Sequence, residues 1–184
     1  MVKDLFFVFW FFAPVGLANE AAWVSGKIPF INKFSFPVDF YAKYRKKRVL
    51  GNHKTIRGFL FGILAGIIAV YIQIYLYQHI AYLRQIIPLN YNSINPIIFG
   101  TLSGFGAIIG DSVKSFFKRQ IGIQPGNSWF PFDQIDYTLG GIIFTSFYIR
   151  LSLYHYVLLF LLWFILHPLF NLIGYLLKLK DKPL

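Results

Sequence analysis

The sequence predicts an all-α polytopic membrane protein with five transmembrane helices in one domain, residues 1–184, and three observations predict it. The 184-residue chain is 57% hydrophobic and only 14% charged, with mean hydropathy +0.56, more apolar than an ordinary soluble domain. Its apolar residues gather into continuous runs at 5–24, 58–78, 94–109, 137–153 and 156–177; spanning β-strands would alternate instead. Finally, 15 of its 18 basic residues fall on one side of a five-span layout, as cytoplasmic loops do.

The first run contains Pro14, Asn19 and Glu20 and is long enough, at about 20 residues, to cross roughly 30 Å of hydrocarbon. Small residues between Ala18 and Ala22 could mark a signal-peptide cleavage point. Cleavage there would place the following basic loop outside, so the run is read as a span. The loop at 25–57 opens with Gly26 and Pro29, which resist helix. Phe30, Phe34, Phe36 and Phe40 keep it greasy, so it is expected to lie on the membrane surface. Phe36-Pro37-Val38-Asp39 reads as a turn, and residues 41–49 as a short basic amphipathic helix.

The second run has no charge and carries Gly58, Gly62 and Gly66 at every fourth position. In the third, Gly100 pairs with Gly104 and Gly106 with Gly110; such small-residue rows let helix backbones approach in a membrane. The third and fourth runs are short, and the fourth passes Arg150. The fifth is interrupted by His167, Pro168 and Asn171, expected to make an interhelical hydrogen bond and a kink.

Orientation follows from the basic residues. Lys27, Lys33, Lys43, Arg45, Lys46, Lys47, Arg48, Lys54 and Arg57 precede the second run; Lys114, Lys118 and Arg119 follow the third; Lys178, Lys180 and Lys182 end the chain. Lys3, Arg84 and Arg150 lie opposite. An integral protein of the cell membrane, N-terminus outside and C-terminus cytoplasmic, fits this split. The net charge of +11 is then explained by topology and anionic membrane lipids, and no nucleic-acid partner is called for. The absence of cysteine excludes disulfides, thiolate zinc sites and cysteine nucleophiles.

Three of the chain's seven acids, Asp111, Asp133 and Asp136, sit in the stretch between the third and fourth runs, beside Lys114, Lys118 and Arg119. Carboxylates among basic residues at the edge of an apolar element suit Mg²⁺ and phosphate. Asp111 is expected near a helix C-terminus, where the macrodipole disfavours a bare carboxylate and calls for a cation. Asp133 and Asp136, three apart, would share one face of a helix's first turn, with Asp133 a candidate N-cap. Gly51-Asn52-His53-Lys54-Thr55-Ile56-Arg57-Gly58 feeds a membrane helix, where free N–H groups, Lys54 and Arg57 suit phosphate oxygens, although the spacing is not that of a P-loop. Together these features point to a membrane-embedded enzyme handling a nucleoside triphosphate.

At these residues the chain resembles the CDP-archaeol synthase family, relatives of CDP-diacylglycerol synthases. The matching stretches are Pro14 with Ala18-Asn19; Pro37-Val38-Asp39-Phe40; Arg48-Val49-Leu50-Gly51 with Lys54-Thr55 and Arg57-Gly58; and Gly110-Asp111 with Ser115-Phe116, Lys118-Arg119 and Gly122. Pro125-Gly126, Asp133-Gln134, Asp136, His167-Pro168-Leu169, Asn171-Leu172 and Leu179-Lys180 complete them. Ile56 and Gln120 depart from the pattern, standing where an aromatic residue and a second arginine are expected. The resemblance implies Mg²⁺-dependent transfer of a cytidylyl group from CTP to a prenyl ether-lipid phosphate, 2,3-di-O-geranylgeranylglycerol 1-phosphate. By it, Asp111, Asp133 and Asp136 hold metal and, with Lys118 and Arg119, form the catalytic set. Asn52, Lys54, Thr55, Arg57, Lys114 and Ser115 meet CTP or phosphate. An enzyme using an ester-lipid phosphate, a transporter for a phosphorylated lipid or anion, and a non-catalytic scaffold remain as alternatives.

Overall fold

A computed structural model describes residues 1–178; Lys180 and Lys182 of the basic split, and the Leu179-Lys180 pair of the family pattern, lie outside the described residues. Four helices are long and apolar enough to cross a membrane: α1 (Val2–Val24), α3 (Ile56–His79), α5 (Pro96–Gln120) and α7 (Leu153–Leu176). Between them lie α2 (Pro29–Asn32), a hairpin of β1 (Lys43–Tyr44) and β2 (Lys47–Arg48), α4 (Ala81–Ile86), a 3₁₀ turn (Tyr91–Ser93) and α6 (Phe132–Ser146). The fourth expected span is thus a 15-residue helix, about 22 Å long. It leaves the helical path at Phe147, and Ser152, whose hydroxyl accepts from His155 N at 3.3 Å, starts α7 afresh.

Neighbouring contacts give the helix directions. Antiparallel to α1, α3 puts Gly58 beside Ala22, and Gln73 donates to the Trp10 carbonyl at 2.5 Å. Antiparallel to α3, α5 puts Gly104 against Gly62 and Gly100 against Gly66. In α7, parallel to α1, the His155 ring lies 5.2 Å from Phe7 and the Trp163 ring 5.4 Å from Phe12. The chain therefore returns along the bundle between α5 and α7, and α6 makes that return. Gly110 abuts Asp136, Gly106 abuts Gly140, the Phe105 and Phe144 rings stand 5.3 Å apart, and beyond the helix the Tyr148 hydroxyl accepts from Asn95 N at 2.9 Å.

The glycine rows do the packing expected of them. A β-carbon on Gly106 would stand 2.8 Å from the Gly140 carbonyl, and one on Gly66 only 3.1 Å from Gly104 N, so backbone meets backbone with no side chain between. Buried Phe7, Phe11, Phe12, Tyr91 and Phe99 fill the centre. The outer face of α3, through Leu60, Leu64, Ile68, Ile72 and Tyr75, is exposed, as a lipid-facing stripe requires.

Two local expectations are corrected. Residues 41–49 are no helix: Arg45 and Lys46 both take positive φ, 49° and 64°, the backbone of a tight two-residue hairpin turn. Lys43 accordingly pairs with Arg48 and Tyr44 with Lys47. The third apolar run does not end the helix near 109. α5 runs on to Gln120, carrying Lys118 and Arg119 in its last turn where they complement the dipole. Gly122, at φ +90°, then turns the chain. Pro168 lies inside α7, which runs from Leu153 to Leu176. The turn at Pro37 is present, with Phe40 N donating to the Pro37 carbonyl at 3.1 Å.

Candidate functional site

The continuation of α5 decides the site, because it puts Asp111, Lys114, Ser115, Lys118 and Arg119 on one rigid helix. Asp111 lies more than two turns before the helix end, so the expected clash with the macrodipole does not arise. Asp133 is not the N-cap of α6: Pro131 is, while Asp133 sits in the first turn and accepts from Trp129 N. The expectation that Asp133 and Asp136 share a face holds, since both reach Lys114. Its ammonium stands 3.1 Å from Asp111 Oδ1, 2.9 Å from Asp133 Oδ1 and 2.5 Å from Asp136 Oδ2. Lys54 pairs with Asp111 from the other side. Lys118 reaches Asp133 at 3.0 Å and donates to the Asn127 carbonyl at 2.5 Å. Three carboxylates from two helices are thus knitted together by three ammonium groups. Among the described residues, no three acidic or histidine side chains form a metal-holding group on their own; Lys114 occupies the point on which the carboxylates converge.

In front of this cluster is a cavity of about 670 Å³. Asn52, Lys54, Thr55, Arg57, Asp111, Lys114, Ser115, Lys118 and Arg119 line it; Asp133 and Asp136 are not among the lining residues but are bonded to Lys114. A second cavity, about 330 Å³, adjoins it through Gly51, Asn52, Arg119 and Pro125 and includes Lys47 and Arg48. Arg119 Nε is buried there without a hydrogen-bond partner.

The start of α3 differs from expectation. Thr55 caps it, accepting from Gly58 N at 3.2 Å, and Ile56 N donates to the Phe36 carbonyl at 2.9 Å, so these amides are already satisfied. Asn52 accepts from Arg48 at 2.7 Å, and the Ser115 hydroxyl donates to the Asp111 carbonyl at 2.9 Å. The preceding loop is shaped by Asp39, whose side chain is 2% exposed. It accepts from Arg48 Nη2 at 2.6 Å, Leu50 N at 3.0 Å and Gly51 N at 3.3 Å. Burial pushes its carboxyl upward, but the Arg48 hydrogen bond and the two amides outweigh it and hold it below the ordinary range. That bracket presents residues 51–54 to the cavity.

Sequence reasoning assigned no site role to Asn19 and Glu20 of α1 or His167 and Asn171 of α7, all of which line the cavity. The signal was available: polar residues inside apolar runs are costly and tend to face a protein interior or site.

The CarS-like CDP-archaeol synthase family pattern matches residues 1–184. The CDP-archaeol synthase of Methanospirillum hungatei is 35% identical over 178 residues, covering 92% of this chain and 98% of that protein. That of Methanococcus vannielii is 35% identical over 181 residues, covering 98% and 97%. A solved intramembrane enzyme for archaeal membrane lipid biosynthesis superposes with TM-score 0.70 at 25% identity, covering 89% of this chain and 91% of that one. By this end-to-end agreement, together with the four apolar helices and the cavity, the chain belongs to the CarS-like CDP-archaeol synthase family and is an integral membrane protein.

Proposed function

We propose that this protein transfers the cytidylyl group of CTP to 2,3-di-O-geranylgeranylglycerol 1-phosphate, releasing CDP-archaeol and pyrophosphate. The observation that carries the reading is the cluster of Asp111, Asp133, Asp136, Lys54, Lys114 and Lys118 at the wall of a cavity among membrane-length helices, in a chain of this family. In the reaction a lipid phosphate oxygen attacks the α-phosphorus of CTP and a new P–O bond forms. The bond to the bridging oxygen breaks, and pyrophosphate leaves with that electron pair. The attacking oxygen is already ionised, so no strong general base is required. The protein's work is alignment and charge. Lys118 and Arg119 meet the polyphosphate, and Lys54 and Lys114, now paired with carboxylates, turn to phosphate oxygens as negative charge enters.

The donor chemistry fits magnesium. Three carboxylates converge within 2.5–3.1 Å of one ammonium, so a cation is held there already, and the oxygens are hard ligands. Asp111, Asp133 and Asp136 would hold the metal, which would neutralise the phosphates and polarise the α-phosphorus when bound.

The reading includes five crossings of the cell membrane, with the N-terminus outside and the cavity cytoplasmic. Supporting it are the return of α6 along α5 and the basic residues of the α1–α3 loop and the α5 end. The test offers purified protein CTP with either the ether-linked prenyl phosphate or diacylglycerol phosphate. Preferred turnover of the ether lipid supports the assignment; equal or better use of the ester lipid moves the chain to the related activity.

A further inference from the structure

Arg57 differs from the lysines of the site. It is 9% exposed and lines the large cavity, yet its partners are neutral. Nε donates to Ser25 Oγ at 3.2 Å, and Nη1 to Asn32 Oδ1 at 2.9 Å, Ser35 Oγ at 2.9 Å and the Ile31 carbonyl at 3.4 Å. Lys54, Lys114 and Lys118 each hold a carboxylate; among the described residues Arg57 pairs with none. A buried guanidinium without a counter-charge is strongly disfavoured, and one facing a cavity is built to receive an anion.

Its position selects the anion. Ser25, Asn32 and Ser35 belong to the end of α1, to α2 and to the residues just after it. In that segment Phe30, Phe34 and Phe36 are 72%, 58% and 64% exposed. Lys27 stands 5.5 Å from the Trp23 ring centre and Lys33 5.9 Å from that of Phe30. Exposed aromatics interleaved with lysine make a membrane-interface surface. The three carboxylates are instead carried by α5 and α6, and the smaller basic cavity is lined from the hairpin and the end of α5. Arg57, by contrast, is anchored through Ser25, Asn32 and Ser35 to this aromatic and basic segment.

We propose that Arg57 binds the phosphate monoester of the acceptor lipid, which enters from the α1–α2 side, and that Ser25, Asn32 and Ser35 fix the guanidinium for it. This rests on the cytidylyl-transfer reading and narrows the role of Arg57 within it from phosphate in general to the acceptor.

The test uses Asn32→Asp and Arg57→Gln in purified protein. Asn32→Asp keeps the shape and places a carboxylate on the guanidinium, so it competes with a lipid phosphate even if Arg57→Gln fails to accumulate. Binding of the ether-lipid phosphate is read by native mass spectrometry against the corresponding neutral diradylglycerol. Binding of CTP is read separately by equilibrium dialysis without lipid. The expected result is a tenfold or greater loss of lipid-phosphate binding in Asn32→Asp, with CTP binding unchanged within twofold. Loss of CTP binding with lipid retained would overturn the proposal, as would wild-type protein that holds the lipid phosphate no better than the neutral lipid. Absence of CDP-lipid formation by a wild type that does bind the lipid phosphate would refute the transfer reading and leave the Arg57 site standing.

Discussion

Replacing Lys114 by methionine keeps most of the side-chain volume and removes the charge on which three carboxylates converge. Lys54 still serves Asp111 and Lys118 still serves Asp133. Asp136, whose side chain is 4% exposed, loses its ammonium partner and keeps the Tyr137 amide at 2.6 Å. Breaking a buried pair from one side costs about 3–5 kcal/mol, against about 0–1 kcal/mol for an exposed pair. Because two of the three acids keep partners, the lower end applies, about 3 kcal/mol. For a chain of this size that is a fall in melting temperature of about 6–12 °C. Magnesium should restore much of it, since a ligand at a hundred times its dissociation constant contributes about 2.7 kcal/mol. Wild-type protein should gain less, because its own ammonium must first leave. The assay is thermal unfolding in detergent with and without Mg²⁺. Equal melting of wild type and Lys114→Met, or equal gains from Mg²⁺, would refute the idea that this ammonium holds the place of a cation.

Other outcomes follow from the same geometry. Asp111→Asn should abolish turnover and Asp133→Asn and Asp136→Asn should each impair it severely, with protein levels little changed; near-wild-type kinetics with ordinary Mg²⁺ dependence in all three would remove the metal assignment. Gly106→Ala pushes a methyl to 2.8 Å from the Gly140 carbonyl and should cost at least about 1–3 kcal/mol, read as a lower melting temperature. Asp39 has a folded-state value below its ordinary one of about 3.9. Its contribution is therefore present above about pH 4 and lost as pH falls through the folded value, so Asp39→Asn should flatten the acid limb of a stability profile. Single cysteines in this cysteine-free chain at Lys46 and Asn92, both exposed, should label from the cytoplasm and from outside respectively; the reverse would invert the topology.

The helical membrane class was legible because three of the apolar runs match α1, α3 and α7 within a few residues. The ends of α5 and α6 were not, because hydropathy reports where a chain meets lipid and not where a helix stops. Beyond Ile109 the chain turns polar yet stays helical, and it is stopped at Gly122 rather than by composition. The hairpin at 43–48 was hidden for a related reason: Arg45 and Lys46 adopt positive φ without glycine or asparagine to announce it. For the site, charge in an apolar chain was enough to single out Asp111, Asp133 and Asp136. That Lys114 sits between them, rather than facing phosphate, depends on the crossing of α5 and α6 at Gly110 and Asp136, which no local pattern encodes. Arg57 was noticed for its charge, but its neutral partners come from α1, α2 and Ser35, at least 22 residues away in sequence.

The central claim is transfer of CMP from CTP to a lipid phosphate, and the measurement that meets it most directly follows two labels. Purified protein in detergent receives the ether-lipid phosphate, Mg²⁺ and CTP labelled at either the α- or the γ-phosphorus. The α-label should enter the organic phase as CDP-lipid while the γ-label appears as pyrophosphate, one for one. Intact CTP with both labels, or α-label recovered as free CMP, would contradict it.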